Sequence, residues 1–286
     1  MPSLIDIRRR VRSVRNTQQI TKAMKMVSAA KLRRAQERAL AARPYAKMLQ
    51  QILANVAEAA SQSAEGAEQA LLAVRPENRI LVVVVTADSG LAGGFNANLI
   101  KLAQRFVDDN KGKELSFELL GRKGRDYFRK RTTNIRGEHI DLFRKVKIED
   151  ADRIANAIID RFEKAEIDAV YLFVNEFKSV MASHLSATRI LPIEVPKTQA
   201  PVDYIYEQKP SELLGSLLPR YVKLQIFRAL LESAAAEHAA RMTAMEAATS
   251  NANDVIDKLT LLMNRVRQAS ITREIIEIVS GAAALD

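Results

Sequence analysis

The residues best suited to chemistry in this sequence are the glycines of the segment TADSGLAGGFN, which are Gly90, Gly93 and Gly94. A hydrophobic run precedes the segment and an amphipathic pattern follows it from about Asn96, so the glycines occupy a predicted strand-to-helix turn. Backbone N–H groups at such a turn can bind a phosphate group. The spacing matches neither a dinucleotide-binding fingerprint nor a Walker loop. We therefore favour a tight turn, with a Rossmann-type nucleotide-binding enzyme as an alternative.

Other groups that could catalyse a reaction or bind a metal are scarce. The sequence contains no cysteine, which excludes disulfides, thiolate metal sites and cysteine nucleophiles. Its three histidines, His139, His184 and His238, occur in no hydrolase or metalloprotease motif. No acidic loop has the spacing of a calcium site. We therefore expect no catalytic residue, no metal and no cofactor.

Positive charge is concentrated in the first 50 residues, which contain thirteen Lys or Arg and only two acids. The net charge of this segment is +11 and that of the whole chain is +10, so the other 236 residues together carry −1. A basic segment can face water, an acidic protein or nucleic acid. Few aromatic residues are interleaved with these cations, which argues against base stacking. A basic coiled-coil nucleic-acid-binding protein is nevertheless kept as an alternative.

The N-terminal residues 1–60 are predicted to form a long helix. Apolar residues recur at alternating spacings of three and four from Leu32 to Ala60, which is a heptad seam. The same register turns polar between Gln18 and Ser28, where we expect the contacting face to shift to a neighbouring stripe of Ile20, Met24 and Val27. Pro44 interrupts the pattern and predicts a kink or an end near Arg43.

The C-terminal residues 208–286 repeat this design, with a second heptad seam from Leu231 to Val266. After Pro219 the pattern permits a single helix on the order of 100 Å long, at about 1.5 Å per residue. A helix of that length needs a partner for its apolar seam. We therefore predict that the two terminal helices pair as a long antiparallel coiled coil, with seam alanines allowing a slender rod.

Between these helices, in residues 76–200, the heptad spacing of apolar residues gives way to short hydrophobic runs and amphipathic segments. This pattern predicts a small parallel or mixed sheet with covering helices. The first strand ends at Thr86, and three later segments also have the character of strands: LSFELLG, DAVYLFVNEF and SHLSATRILPIEV. The segment IEDADRIANAIIDRFEKA predicts a helix. Residues 61–78 and 196–210 have the composition of linkers.

Three segments resemble one protein family. The C-terminal NRVRQASITREIIEIVSGAAALD closely resembles the signature of γ subunits of F-type ATP synthases, with Ile271, Thr272, Glu274, Glu277, Gly281 and Ala282 in matching places. The segments ITKAMKMVSAAKLRRAQ and AEHAARMTAMEAATSNAND resemble the same family, in the same order. One departure is visible, because the family commonly has Thr-Ser-Asp-Arg-Gly-Leu after the first strand, where this chain has Ala87 and Ser89.

The resemblance implies a Rossmann-like central domain and a non-catalytic rotor subunit. In that family the paired terminal helices form a shaft inside a ring of three α and three β subunits, and the central domain lies near the membrane c-ring. The implied function is to transmit torque between the proton-driven c-ring and the catalytic ring, so that ion translocation is coupled to ATP synthesis or hydrolysis. A regulatory ε subunit is a further implied partner, and nucleic acid is not.

The implied location is the cytoplasmic face of the bacterial cell membrane, with contact to the membrane only through the c-ring. This agrees with the sequence, in which no stretch approaches the roughly 18 to 20 apolar residues of a membrane span.

The resemblance also implies contact residues. Contacts with the α/β ring are expected at Met24, Lys25, Arg267, Gln268, Thr272, Ile275, Ile278, Val279 and Leu285. Contacts with the c-ring are expected at Tyr204, Tyr206 and Glu207. The C-terminal end is apolar on nearly every side, which is unusual for a helix end in water. We therefore expect an apolar collar of other subunits to surround it.

Overall fold

The computed structural model describes the following residues: 3–61, 69–132, 134–179, 183–195 and 207–283. Contacts within the chain define two compact units. We call Met1–Ser28 with Met242–Asp286 the helix-pair unit and Ala29–Arg241 the sheet unit.

Two long helices dominate the secondary structure: α1, Leu4–Ser61, and α5, Pro210–Ala283. Pro44 lies inside α1 and Pro219 lies inside α5. Of the kink or end predicted near Arg43, the end is therefore absent, and α5 begins nine residues before Pro219. A proline inside a helix costs about 3 kcal/mol. Packing of buried residues on both sides of each proline offsets this cost, as at Ala39 and Leu49 in α1.

In the helix-pair unit, the start of α1 pairs with α5 in an antiparallel sense. Thr21 Oγ1 lies 2.8 Å from Thr249 Oγ1, and Lys25 Nζ donates to Glu246 Oε1 at 2.6 Å. One turn earlier in α1, the side-chain amide of Gln18 donates to Asn253 Oδ1. We call these three pairs the polar layer. As the residue number rises along α1, the number of its partner in α5 falls by about the same amount, so the three pairs share one antiparallel register.

The polar layer shows that the predicted shift of the contacting face is wrong. Thr21 is 8% exposed and Ser28 is 3% exposed, whereas Ile20 and Val27, on the stripe expected to take over, are 60% and 55% exposed. The hydroxyl, amide and charged groups bond to partners across the seam, which removes most of the cost of placing polar groups there. The seam therefore keeps its heptad register through its polar section.

In the sheet unit, the heptad positions of α1 behave as predicted. Leu49, Leu53 and Val56 are at most 6% exposed and belong to the same hydrophobic core as Leu218 and Val222 of α5. Every predicted seam position from Leu231 to Val266 is buried or half-buried. Alternating threes and fours therefore identified the packed faces of both helices.

The sheet has five strands: β1, Arg79–Val85; β2, Glu114–Leu120; β3, Ile135–His139; β4, Ala169–Phe177; and β5, Ser183–Leu191. Their order is β3-β2-β1-β4-β5, with β5 antiparallel to β4 and all other neighbours parallel. The central position of β1 explains its uninterrupted hydrophobic run, because both of its faces are covered. The predicted mixed sheet is confirmed, although β3 was missed because IRGEH has no hydrophobic run.

Helices cover both faces of this sheet. One face packs Ile80, Val82 and Val84 in a core with residues of α2, Phe95–Asp109, and of α3, Arg122–Phe128. The other face packs Leu81, Val83 and Val85 in a core with α4, Ile148–Glu163, and with the parts of α1 and α5 that belong to this unit. Two short 3-10 helices, Ala70–Leu72 and Leu142–Arg144, lie in the connections.

A buried acid attaches the edge strand β3. Glu118 of β2 is 1% exposed, and its carboxylate lies 2.7 Å from His139 Nε2 and accepts a 2.7 Å hydrogen bond from Arg161 Nη1. Burial alone would raise the pKa of Glu118, but the bonds from His139 and Arg161 outweigh it and the pKa is lowered. A Cβ at residue 137 would lie 1.9 Å from Glu118 Oε1, so Gly137 leaves the space that the carboxylate fills.

Replacing Gly121 by Ala is expected to destabilise the sheet unit. Gly121 has φ +97°, and a Cβ there would lie 1.9 Å from the carbonyl oxygen of Thr86. We expect Gly121→Ala to lower the free energy of unfolding by about 3 kcal/mol, because both strain and a clash result. The measurement is the urea midpoint of the full chain by circular dichroism. Gly112→Ala is the control, since its Cβ would meet nothing within 4 Å. Equal midpoints for the two variants would contradict this account.

Acid should weaken the link between β1 and the start of β4. Asp168, whose side chain is 5% exposed, accepts hydrogen bonds from Arg79 N at 2.9 Å and Arg79 Nη2 at 2.7 Å. The hydrogen bonds from Arg79 lower the pKa of Asp168. A lowered pKa means that this stabilisation is complete above the pKa of the unfolded chain, about 3.9, and is lost as the pH falls through the folded-state value.

We expect Asp168→Asn to lower the free energy of unfolding at pH 7 by about 2 kcal/mol. The difference from the unsubstituted chain should shrink as the pH falls below about 4. Urea titrations across this pH range measure both quantities. The exposed Asp108, which pairs with Lys111 at 3.4 Å, provides the control Asp108→Asn, with an expected change below about 0.5 kcal/mol. A pH-independent difference for Asp168→Asn would refute the ionic contribution.

Candidate interaction surface of the terminal helices

The C-terminal part of α5 extends beyond the helix with which it pairs. In the helix-pair unit, Ile7 of α1 lies across a groove from Leu259 and Leu262 of α5, and α1 begins only at Leu4. The antiparallel register therefore has no residue of α1 left to set opposite α5 beyond about Arg267. Every residue from Ile271 to Ser280 is exposed. These ten residues correspond to about 15 Å of helix.

This exposed end is largely apolar. Its side chains are between 48% and 72% exposed at five positions: Ile271, Ile275, Ile276, Ile278 and Val279. Complete burial of one such side chain contributes roughly 1.5–3 kcal/mol. Apolar residues concentrated on an uncovered helix end are typical of a surface that another protein covers.

The expected contact residues of α5 lie on this end or beside it. Arg267, Gln268 and Thr272 are exposed, as are Ile275, Ile278 and Val279. Thr272 Oγ1 donates to the carbonyl oxygen of Gln268 at 2.9 Å, so its hydroxyl is used within the helix. Leu285 lies outside the described residues.

The expected contact residues of α1 have different environments. Met24 is half-buried, and Lys25 is bonded to Glu246 with 38% of its own side chain exposed. Lys25 thus contacts α5 within this chain. Three neighbouring apolar residues are largely exposed: Ile20 and Val27, which were expected to contact α5, and Met26, for which no contact was expected. Counting strictly by heptads would have placed them outside the seam.

The basic cluster at the N-terminus is also uncovered. Arg8, Arg9, Arg10, Arg12 and Arg15 are exposed. None of the five forms an ion pair with a carboxylate within the described ranges. Their charge is therefore available to water or to an anionic partner.

Of the three residues expected at the c-ring, only Glu207 is among the described residues. It is exposed and lies just before α5 begins at Pro210. Tyr204 and Tyr206 lie outside the described residues.

The glycine-rich loop of the sheet unit is anchored by α5. Arg241 Nη2 donates to Ser89 Oγ at 2.6 Å, to the Gly90 carbonyl oxygen at 3.1 Å and to Glu237 Oε1 at 2.6 Å. On its other side, the loop is held by Asn96 Oδ1, which accepts from Ala87 N at 2.9 Å. The contacts support a tight turn packed against a helix and give no support to the phosphate-binding alternative.

Glu237 and Arg241 are structural anchors of this loop that the sequence analysis missed. Both are nearly buried, with side chains 4% and 11% exposed. The signal was present in the segment AEHAARMTAM, where an acid and an arginine are four residues apart in a helix and so share one face. What they bind could not be known without the fold.

Two further features bear on function. Across the described ranges, no group of three or more His, Asp or Glu side chains could hold a metal ion. A search of the same residues finds no helix with both the length and the apolar character needed to cross a membrane.

Comparison with known proteins places the whole chain in one family. The family profile described as ATP synthase matches residues 3–285. The ATP synthase gamma chain of Solibacter usitatus is 63% identical over 286 residues, with all of both chains covered. That of Pelotomaculum thermopropionicum is 47% identical over 289 residues, again with all of both chains covered.

Solved structures show the same fold. A chain from the Euglena gracilis mitochondrial ATP synthase matches with a TM-score of 0.68 and 16% identity, covering 99% of this chain and 94% of that one. A chain from the central stalk and c-ring of the Tetrahymena thermophila enzyme matches with a TM-score of 0.63 and 24% identity, covering 80% of this chain and 99% of that one. The predicted fold, an antiparallel helix pair with a Rossmann-like domain, is thereby confirmed. The profile match and the full-length identity show that this chain belongs to the ATP synthase gamma chain family.

Proposed function

We propose that this chain is the central-stalk subunit that transmits torque between the membrane c-ring and the catalytic α/β ring of an ATP synthase. The observation that supports this most directly is the exposed apolar end of α5, which α1 is too short to cover. In the proposed assembly the α and β subunits surround this end. Ion translocation through the c-ring is then coupled to ATP synthesis or hydrolysis by rotation of the chain.

An apolar surface suits a rotating contact. Burial of apolar area is favourable and non-directional, so it holds the helix end in place without favouring one angle strongly. Directional contacts are then needed elsewhere to make the β subunits respond to the rotor angle. We assign these contacts to the polar side chains of Arg267 and Gln268, and a guanidinium at residue 267 offers five donors suited to a carboxylate. Met24 is proposed as a further, apolar contact.

The proposed contribution of the chain is mechanical rather than catalytic. Its orientation would change the relative stability of the conformations of each β subunit, which is a coupling free energy between rotor angle and nucleotide affinity. No residue of the chain then needs to touch a reacting atom. Glu207, with Tyr204 and Tyr206, is the proposed contact to the c-ring, the ε subunit is a further partner, and the proposed location is the cytoplasmic face of the membrane.

The direct test is co-expression of the full chain with the α and β subunits of the same organism, followed by native mass measurement. A complex of three α, three β and one copy of this chain, with rotation-coupled ATP hydrolysis, is the expected result. The nucleic-acid alternative would be favoured instead if the chain never joined the ring but bound DNA in an electrophoretic mobility assay, with an affinity that fell steeply as salt was raised.

Replacing Ile278 by Asp is expected to impair assembly strongly. Ile278 is 72% exposed in the free chain, and the proposed collar would bury it. A buried, unpaired carboxylate costs several kcal/mol, so roughly a hundredfold or greater loss of complex is expected. The yield of purified complex measures the effect. Glu277→Asp serves as the control, since it keeps the existing carboxylate, and deletion of residues 285–286 should also be milder. Normal assembly of Ile278→Asp would exclude the collar.

Replacing Arg267 by Ala tests the directional contact. We expect intact assembly and a decrease in the rate of coupled ATP turnover of about tenfold, because the loss of a charge-assisted hydrogen bond is worth about 1.5–3 kcal/mol. Arg265→Ala removes the same side chain half a turn away and should have little effect. Steady-state hydrolysis and proton pumping in membrane vesicles measure both variants. If Arg267→Ala behaves as Arg265→Ala does, residue 267 is only a solvated charge.

A further inference from the structure

The sheet unit contains a cleft lined by cations from several elements. Its narrow end has a volume of about 260 Å³ and lies between α1, the connection from β3 to α4, and α5. A wider space of about 830 Å³ lies beside it, and Arg38 and Lys145 line both spaces. We call the two neighbouring spaces together the basic cleft, and its six cations are Lys31, Arg34, Arg38, Arg144, Lys145 and Lys147.

These six cations have no counter-charge of their own. None of them forms an ion pair with a carboxylate in the part of the chain that the structure describes. Two acids, Glu149 and Asp150, line the wide end, and Asp150 already pairs with Arg153 at 3.1 Å. No acid lines the narrow end. Like charges around one space repel each other, and a multivalent anion would relieve this repulsion.

A histidine at the narrow end has an unused polar atom. His238 Nδ1 is buried and has no hydrogen-bond partner among the described residues. Burial lowers the pKa of His238 to about 4, with further contributions from the charges of Arg241 and Lys31. The imidazole is therefore neutral at pH 7 and adds no positive charge to the narrow end. Buried polar atoms in native proteins are usually bonded, so the unpaired Nδ1 is unusual.

The shape of the narrow end favours a small ligand. Apolar side chains form part of its wall: Phe143, Val146 and Leu231. Apolar walls lower the local polarity and so strengthen the attraction between cations and an anion. The volume is close to the lower limit of small-molecule pockets, about 300 Å³. A segment of folded polypeptide needs more room, whereas a short chain of phosphate groups presents several charges in a compact form.

We propose that the basic cleft binds a small oligophosphate anion, either free or as the phosphate chain of a nucleotide. The three arginines present guanidinium groups that can each form paired hydrogen bonds with phosphate oxygens, and the lysines add point charges. This site is separate from the helix-end surface of the proposed function. Binding there would link α1 to the connection into α4, because the six cations come from these two segments.

The test is calorimetric titration of the full chain with tripolyphosphate, and separately with metal-free ATP, in a buffer without phosphate. We expect one site per chain, with an affinity that falls as salt is raised. The double variant Arg38→Gln, Lys145→Gln should weaken binding by at least about tenfold. Arg33→Gln is the matched control, since Arg33 is on the same helix but bonds to Glu37 and does not line the cleft. It should change the affinity by less than about twofold.

A second measurement follows the ligand at His238. The pKa of this imidazole, measured by NMR, should rise when tripolyphosphate is bound, because an anion then lies among Lys31, Arg34, Arg38, Arg144 and Lys145. Equal affinities for tripolyphosphate and ATP indicate recognition of the phosphate chain alone, and tighter binding of ATP indicates a nucleotide. Absence of binding at millimolar concentration overturns the proposal. So does an equal loss in Arg33→Gln, or a polyglutamate peptide that binds where tripolyphosphate does not. Anion binding is measured on the free chain, so failure to assemble with α and β subunits would contradict the proposed function without affecting this test.

Discussion

The antiparallel pairing of α1 with α5 is the constraint on which the rest of the structure depends. Each helix is too long to be covered by a small sheet domain, so its apolar seam is buried against the other helix. In the helix-pair unit the polar layer fixes the register, since Thr21 and Thr249 can bond only when they are opposite each other. Polar groups within a helical seam are a known means of specifying one alignment over others.

This register determines what is left uncovered. Because α1 begins at Leu4, it has no residue to set against the last part of α5, and Ile275 and Ile278 there are more than half exposed. The same register turns Ile20 and Val27 outward. The surface proposed to meet other subunits is thus a direct consequence of unequal helix lengths and a fixed alignment, and no separate binding domain is needed.

The sheet unit is organised around β1 and the loop that follows it. Strands flank β1 on both sides and helices cover both faces, so the loop after Thr86 emerges from the most buried strand of the domain. Arg241 and Glu237 then join that loop to α5. The family commonly has Arg at the position of Ser89. In this chain Ser89 Oγ accepts a hydrogen bond from the guanidinium of Arg241, so the loop is joined to α5 through a hydroxyl group.

The sequence by itself determined the two helices, their seams and the mixed sheet, because heptad spacing and buried hydrophobic runs are local patterns. It also carried the family motifs, including Arg267 and Gln268. Only the tertiary structure decided which stripe of α1 is buried near Thr21, because the answer depends on hydrogen bonds to residues more than 200 positions away. The edge strand β3, the Arg241 anchor and the basic cleft also required the fold. Each of them depends on contacts between elements that are distant in the chain, and such contacts cannot be inferred from a local sequence pattern.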